Sequence, residues 1–422
     1  MICETCRHPN LKTDSWSLNL QTTFSPRTLA RRPPLWLLVL VMGCGGLPIT
    51  IISPALQAIA ADFQADNALV QLLLSGYFSA VALSQLVYGP LSDRYGRKVP
   101  LALGLALYAI GGVMGVLAMS MEWLLAARVL QGLGGAASPS IVRAIINDAY
   151  ERSEAAAAFG AVTAVMAIVP IFGFVSGGWI SEVFGWRGAM LIIAVIGAVT
   201  LVMVGFFLQE TNLTPLEQLK TAKLAREYRL LIVNPAFLTF ALVSSCSTGI
   251  FFSFIGFLPY EYARLGVGMG ETGFWFVITP LGYMLGNLGT RQFVHRIGLE
   301  RLILIGSLIS LLASSALLGV SQFPDRTPLM IAIPCMVFGV SGGLVIPNGT
   351  MGAIAIAKQL GGSASGITGA MQMGFGVLGG SLVAAVGGYD HVAMGLLVLL
   401  GFAVVAVGAS LLTLRVKSAR AA

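Results

Sequence analysis

The feature that most limits what this chain can become is a recurring apolar run. From Leu35 onward twelve such runs follow one another, at about 35–58, 69–90, 99–120, 123–146, 155–179, 187–208, 235–260, 271–290, 300–320, 328–349, 363–386 and 390–414. A bilayer core of roughly 30 Å needs about 20 apolar residues as a helix. One such run could be a buried helix of a soluble protein; twelve in series could not be hidden in one soluble core. The composition agrees, with 56% hydrophobic and only 10% charged residues in 422. The expected class is therefore an all-α membrane protein with twelve transmembrane helices. Gly and Pro interrupt many runs, which membrane helices tolerate, and small residues let neighbouring helices approach.

The net charge of +7 could suggest nucleic acid, but the bases fall in the gaps between runs and build no single basic face. They read as a topology signal. With the N-terminus placed in the cytoplasm, twenty of the 25 Lys and Arg lie on inner segments and only Arg187, Arg264 and Arg326 on outer ones. Both termini are expected inside. The longest connection, 209–234, carries Pro215 and four bases and splits the runs six and six. The expected layout is a cytoplasmic tail (1–33), a first six-helix bundle (34–208), a cytoplasmic linker (209–234), a second bundle (235–414) and a tail (415–422). No cleavable leader is read in residues 1–33. Cys3-x-x-Cys6 with His8 is half a metal site at most, and no metal or cofactor is expected. Cys44, Cys246 and Cys335 sit in apolar runs and read as small hydrophobes. No phosphate-binding loop or nucleophile–base pair argues for an enzyme.

The most distinctive short stretch is Gly89-Pro90-Leu91-Ser92-Asp93-Arg94-Tyr95-Gly96-Arg97-Lys98, read as a tight charged hinge between the second and third runs. Gly89 and Gly96 would allow a turn and close backbone approach. A generic inner loop needs bases but not the spaced Gly and Asp. The pattern G-x-x-x-D-R-x-G-R-K resembles the loop between helices 2 and 3 of the major facilitator superfamily of transporters. That resemblance implies two pseudo-symmetric six-helix bundles with a binding site between them near the midplane. Arg94-Tyr95-Gly96 and Arg296-Ile297-Gly298 occupy equivalent hinges of the two halves, with His295 where the first copy has Asp93. The resemblance further implies a gate: Asp93 against the N-terminus of the eleventh helix, and Arg97 paired with an acid at the inner end of the fourth, where Asp148 stands.

Other stretches resemble the Bcr/CflA-like drug:proton antiporter branch. Arg128-Val129-Leu130-Gln131-Gly132-Leu133-Gly134 is similar to the family's second motif, whose Arg is linked to proton coupling. An Arg inside a span is costly and faces a cavity or a partner, or else snorkels to the interface. Gln131 shares its helical face. Arg143, followed by Asn147 and Asp148, resembles the end of the fourth helix in these exporters, with Asn147 where they carry a second Arg. Pro170, Gly173, Gly177 and Gly178 are similar to the antiporter motif of the fifth helix. There Pro bends the helix and Gly lets it press on a helix of the other half; ordinary small-residue packing is the plainer alternative. Thr50-Ile51-Ile52-Ser53-Pro54 aligns with a first-helix segment that carries Asp where Thr50 stands. The usual carrier acid is thus missing. Asp62, Glu122, Glu182, Glu261, Glu271 and Asp390 lie at outer ends or loops, and Glu261 between Tyr260 and Tyr262 is the next candidate for the proton, a plain rim carboxylate being the other reading.

The resemblance makes the first, fourth, seventh and tenth helices the cavity wall. Its polar and aromatic residues would include Thr50, Ser53, Gln57, Gln131, Thr248, Phe252 and Asn348. Such a wall suits an apolar or weakly polar small molecule. The expected protein is a secondary active exporter of drugs or small metabolites in the inner (plasma) membrane. It would work by alternating access with the proton gradient as its energy source. Its partners would be substrate, protons and lipid, with no nucleic acid, and the chain is read as a monomer. An uptake or facilitative permease of the same fold fits the same residues, and a non-transporting receptor or scaffold is the remote reading from another class.

Overall fold

The computed structural model describes residues 32–421 except 218–220 and 358–359. Residues 1–31, including Cys3, Cys6 and His8, and Lys358 lie outside the described residues. Helices make up nearly all of the rest, and the described residues contain no strand. Ten stretches are long and apolar enough to cross a membrane on composition alone. One of them belongs to Arg152–Phe207, a 56-residue helix. At ~1.5 Å per residue it would reach roughly 84 Å, far beyond one crossing. It breaks at Gly185, where φ is 71° and ψ 171°, and so counts as two. Met269–Ile297 is long enough but less apolar. With it the spans number twelve among the described residues.

We label them α1 (Leu35–Phe63), α2 (Asn67–Tyr95), α3 (Lys98–Val116), α4 (Met121–Ala149), α5 (152–184), α6 (186–207), α7 (Pro235–Arg264), α8 (Met269–Ile297), α9 (Leu299–Val320), α10 (Pro328–Ile356), α11 (Gly361–Ala385) and α12 (Val392–Arg415). Their starts follow ordinary capping. Asp66 accepts from the Leu69 N–H ahead of α2, Ser120 from Trp123 ahead of α4, and Asn234 from Ala236 and Phe237 ahead of α7. A short 3-10 turn at Ser53–Ala55, opened by Pro54, interrupts α1.

The six helices of each half pack on one another, α1 on α5 and α3 on α6 in the first, α8 on α10 and α9 on α12 in the second. The halves meet along two lines, α2 with α11 and α5 with α8. Large apolar side chains remain exposed on the outward faces, such as Leu83, Phe172, Phe206 and Leu312. Water would not tolerate this belt, and lipid does. Cys44, Cys246 and Cys335 are buried.

One expectation changes. The hinge is shorter than the run of charges suggests: α2 continues through Pro90 to Tyr95, so only Gly96 and Arg97 stand outside helix. Gly89 is therefore an in-helix residue with open space around it and makes no close approach. The connection 209–234 also carries regular structure. Its second part is an amphipathic helix, Thr221–Val233, with Leu231 buried and Arg226, Arg229 and Val233 exposed.

Candidate gating and transport site

Call the end of the molecule that carries Gly96 and Arg97 the basic end, and the opposite one the far end. At the basic end the hinge is a web of charge. Gly96 turns the chain with φ 84°, a region L side chains avoid. A Cβ there would also collide with the carboxylate of Glu210. That carboxylate accepts four backbone N–H groups, from Arg97 (2.7 Å), Lys98 (3.1 Å), Thr211 (3.0 Å) and Asn212 (2.8 Å). It caps the start of α3, where unpaired N–H groups and the helix dipole favour an anion. Lys98 Nζ donates to the Gly205 carbonyl at the end of α6, and Arg94 lies over the Tyr95 ring. Glu210 was invisible in the sequence reading because it stands 113 positions from Arg97.

Arg97 is the centre of the web. Its Nε donates to Asp148 Oδ2 at 2.8 Å, and its Nη1 to Ser92 Oγ at 2.8 Å and to Asp93 Oδ1. Burial lowers its pKa, but Asp148 and then Asp93 outweigh that and hold it above the ordinary arginine value. The structure thus brings Arg97 and Asp148 together. Asp93 is placed differently from expectation. It bonds Arg97 one turn on, and its backbone carbonyl accepts from Asn212 Nδ2 and Leu216 N. Among the described residues the start of α11 is engaged instead by Arg143, which donates to Ser365 Oγ at 2.8 Å, and by Glu227 of the linker helix, which accepts from Ser363. Local geometry explains this: Asp93 and Arg97 are four residues apart, an easy pair to close. Arg143 is then the residue that spans the two halves here.

In α4, Arg128 is fully buried. Its Nε donates to the Leu73 carbonyl (3.3 Å), its Nη1 to Gln131 Oε1 (2.7 Å), and its guanidinium lies 4.7 Å from the centre of the Tyr77 ring. Nη2 has no partner among the described residues. The snorkelling alternative fails: the head group points into the bundle, against α2. A buried cation without a carboxylate among its described partners is expensive to keep.

The antiporter-motif residues divide their work. Gly173 lies against Thr50, and Gly177 against the Ile51 backbone, both on α1 of the same half. Gly178 alone faces the other half, where a Cβ would lie 3.3 Å from the Cα atoms of Gly270 and Gly273 on α8. Pro170 sits within α5.

The expected cavity residues divide too. Ser53 Oγ crosses the seam to the Ile255 carbonyl (3.0 Å), and Phe252 stacks on Phe78 of α2 with centroids 4.2 Å apart. Gln57 lines an open hollow of about 500 Å³ at the far end, beside Asn67, Tyr260 and Arg264. Thr50 and Thr248 spend their hydroxyls on carbonyls of their own helix, and Asn348 bonds Leu344 O and Thr290 within the second half. Glu261, expected at an outer end, is 2% exposed. It pairs with Arg326 (2.6 Å from Nε) and Arg264 (3.4 Å), and Arg264 also donates to the Tyr389 carbonyl. The cluster ties α7 to the turns before α10 and before α12.

The family model of the Major Facilitator Superfamily matches residues 38–381. This chain belongs to the Major Facilitator Superfamily. Among its relatives are a bicyclomycin resistance protein homologue of Haemophilus influenzae, 25% identical over 342 residues (79% of this chain, 84% of the relative). Multidrug resistance protein D of Escherichia coli is 25% identical over 356 residues (82% and 86%). The fold matches a bacterial homologue of the human lysosomal transporter Spinster in an inward-facing state (TM-score 0.73, 18% identity, 90% of this chain and 96% of that one). It also matches a D-xylose–proton symporter (TM-score 0.73, 14% identity, 90% and 96%). The chain is a multi-pass membrane transporter of this superfamily, not an enzyme.

Proposed function

We propose that the protein exports drugs or other small, largely uncharged molecules across the plasma membrane in exchange for protons, by alternating access. The basic end faces the cytoplasm on this reading, as the lysine and arginine bias requires. Resistance proteins among its relatives support the substrate class and direction. The seam supports an apolar cargo, since Phe78 and Phe252 meet at its middle. The gate on the cytoplasmic side consists of Asp93, Arg97, Asp148 and Glu210, with Arg143 reaching α11.

The observation that carries proton coupling is Arg128. It is a fully buried cation facing Tyr77 and the Leu73 carbonyl, with Gln131 as its side-chain hydrogen-bond partner. With Thr50 where an acid would sit, a fixed positive charge is the feature by which a passing proton can be felt: it disfavours a second cation in the same dry space. Glu261 serves as a clasp at the outer rim.

The test is substrate-induced pH change in proteoliposomes under an imposed pH gradient, run over a compound panel. Exchange predicts proton movement opposite to substrate. Arg128→Ala should abolish that coupled movement while the protein still inserts. An unchanged pH response in Arg128→Ala would sink the coupling role, and substrate and proton moving the same way would sink export.

A further inference from the structure

The far end of the seam holds two polar residues that no motif explains. Glu182, near the end of α5, places Oε2 2.9 Å from the N–H of Gly270. Gly270 lies in the first turn of α8, in the other half. The first N–H groups of a helix lack internal partners and attract an anion. A Cβ on Gly270 would strike that carboxylate. Around it Gly178 and Gly273 press α5 and α8 backbone to backbone: a Cβ on Gly273 would come within 3.2 Å of the Phe174 carbonyl carbon. Glu182 can make this bond only while the far end is shut.

Gln71 of α2 is placed the opposite way. It is 2% exposed, and neither its amide oxygen nor its nitrogen has a partner among the described residues. It is wedged between two glycines of the other half. A Cβ on Gly256 of α7 would lie 2.6 Å from both amide atoms, and one on Gly380 of α11 would lie 2.6 Å from the nitrogen. A buried amide without partners has lost its water and gained nothing. Parting the seam would return it to water.

We propose that Glu182 and Gln71 set the opening equilibrium of the far end from opposite directions, Glu182 as its latch and Gln71 as its opponent. Both are positioning residues; neither touches substrate. The cost of a lone buried amide keeps a seam of close-packed glycines from shutting for good, and the carboxylate cap keeps it from standing open. The proposal rests on the alternating-access reading, but its test uses neither substrate nor protons, so the two can fail separately.

The test is a distance distribution between spin labels in the full chain in nanodiscs. One label replaces Met119 after α3 and the other Phe323 before α10, both exposed far-end positions on opposite halves, with the native cysteines replaced. Glu182→Gln should raise the open-to-closed ratio roughly two- to five-fold, the worth of a carboxylate on an exposed helix start. Gln71→Met keeps the chain length and removes both polar atoms; it should lower the ratio about five-fold or more. Where the open state is scarce, alkylation of Ser53→Cys by a membrane-impermeant reagent reads the same opening, since Ser53 is buried at the seam. Opposite shifts in the two variants are the expected result. Shifts in the same direction, or no movement in either readout, overturn the proposal.

Discussion

The hinges of the two halves share a backbone and differ in chemistry. Gly96 ends α2 at φ 84° and ψ 169°, and Gly298 ends α8 at φ 91° and ψ 152°. Both turn a descending helix directly into the next one. Around Gly96 stand Asp93, Arg97, Asp148 and Glu210, joined by short bonds. Around Gly298 the place of Asp93 is taken by His295, and Glu300 stands in the first turn of the next helix. The turn therefore belongs to the architecture, which needs it twice. On the proposed function, the Asp93–Arg97–Asp148–Glu210 web is what gating adds to the first turn.

This contrast can be broken by substitution, and the largest effect is expected at Gly96. Gly96→Ala combines backbone strain of roughly 1–2 kcal/mol with a collision that displaces the Glu210 carboxylate. Efflux at matched protein levels should fall at least ten-fold, further than in Glu210→Ala alone, which loses the cap but leaves Gly96 unstrained. Equal losses in the two variants would mean that losing the cap alone sets the effect. Arg97→Ala comes next. It leaves Asp148 and Asp93 facing each other without their cation, at a cost of about 1–3 kcal/mol, and should lower efflux several-fold and the melting temperature by a few degrees. Gly298→Ala carries the strain without the charge, so its melting temperature should fall while transport per folded molecule stays within about two-fold. If Gly298→Ala matched Gly96→Ala in transport, the division between turn and charge would be wrong. The smallest effect is expected from His295→Asp, which restores the acid but not its partners. An exposed ion pair is worth at most about 1 kcal/mol, so efflux should be unchanged in the same vesicle assay.

Much of this was readable from the chain. The apolar runs announce the spans because no other environment accepts so many, and the spaced Gly, Asp and Arg announce the hinge. Arg97 and Asp148 were paired on the resemblance, and the structure puts them 2.8 Å apart. What stayed hidden was of two kinds. Glu210 acts on residues more than a hundred positions away, so only the folded path of α6 back to the hinge reveals it. The hydroxyls of Thr50 and Thr248 looked like cavity polarity, yet each bonds a carbonyl on its own helix. Serine and threonine in an apolar helix can always do this, and a sequence does not say which choice was made. Gln71 was lost inside an apolar run for a related reason: its meaning comes from two glycines on helices of the other half.

The connection between the halves leaves Glu210 and stays on α2. Asn212 and Leu216 bond the Asp93 carbonyl, and Tyr228 donates to the Leu86 carbonyl about two turns further into α2. The covalent bridge is thus tied to the first half at Asn212, Leu216 and Tyr228, and to the second half through Glu227, which accepts from Ser363 at the start of α11, and through Leu231, buried beside Phe237 and Phe240 of α7. Rocking of one half on the other would pull on this helix from both sides. Glycines inserted between Tyr228 and Pro235 would slacken its hold on the second half, while an insertion of equal size before Glu210 would instead unmoor it from the first.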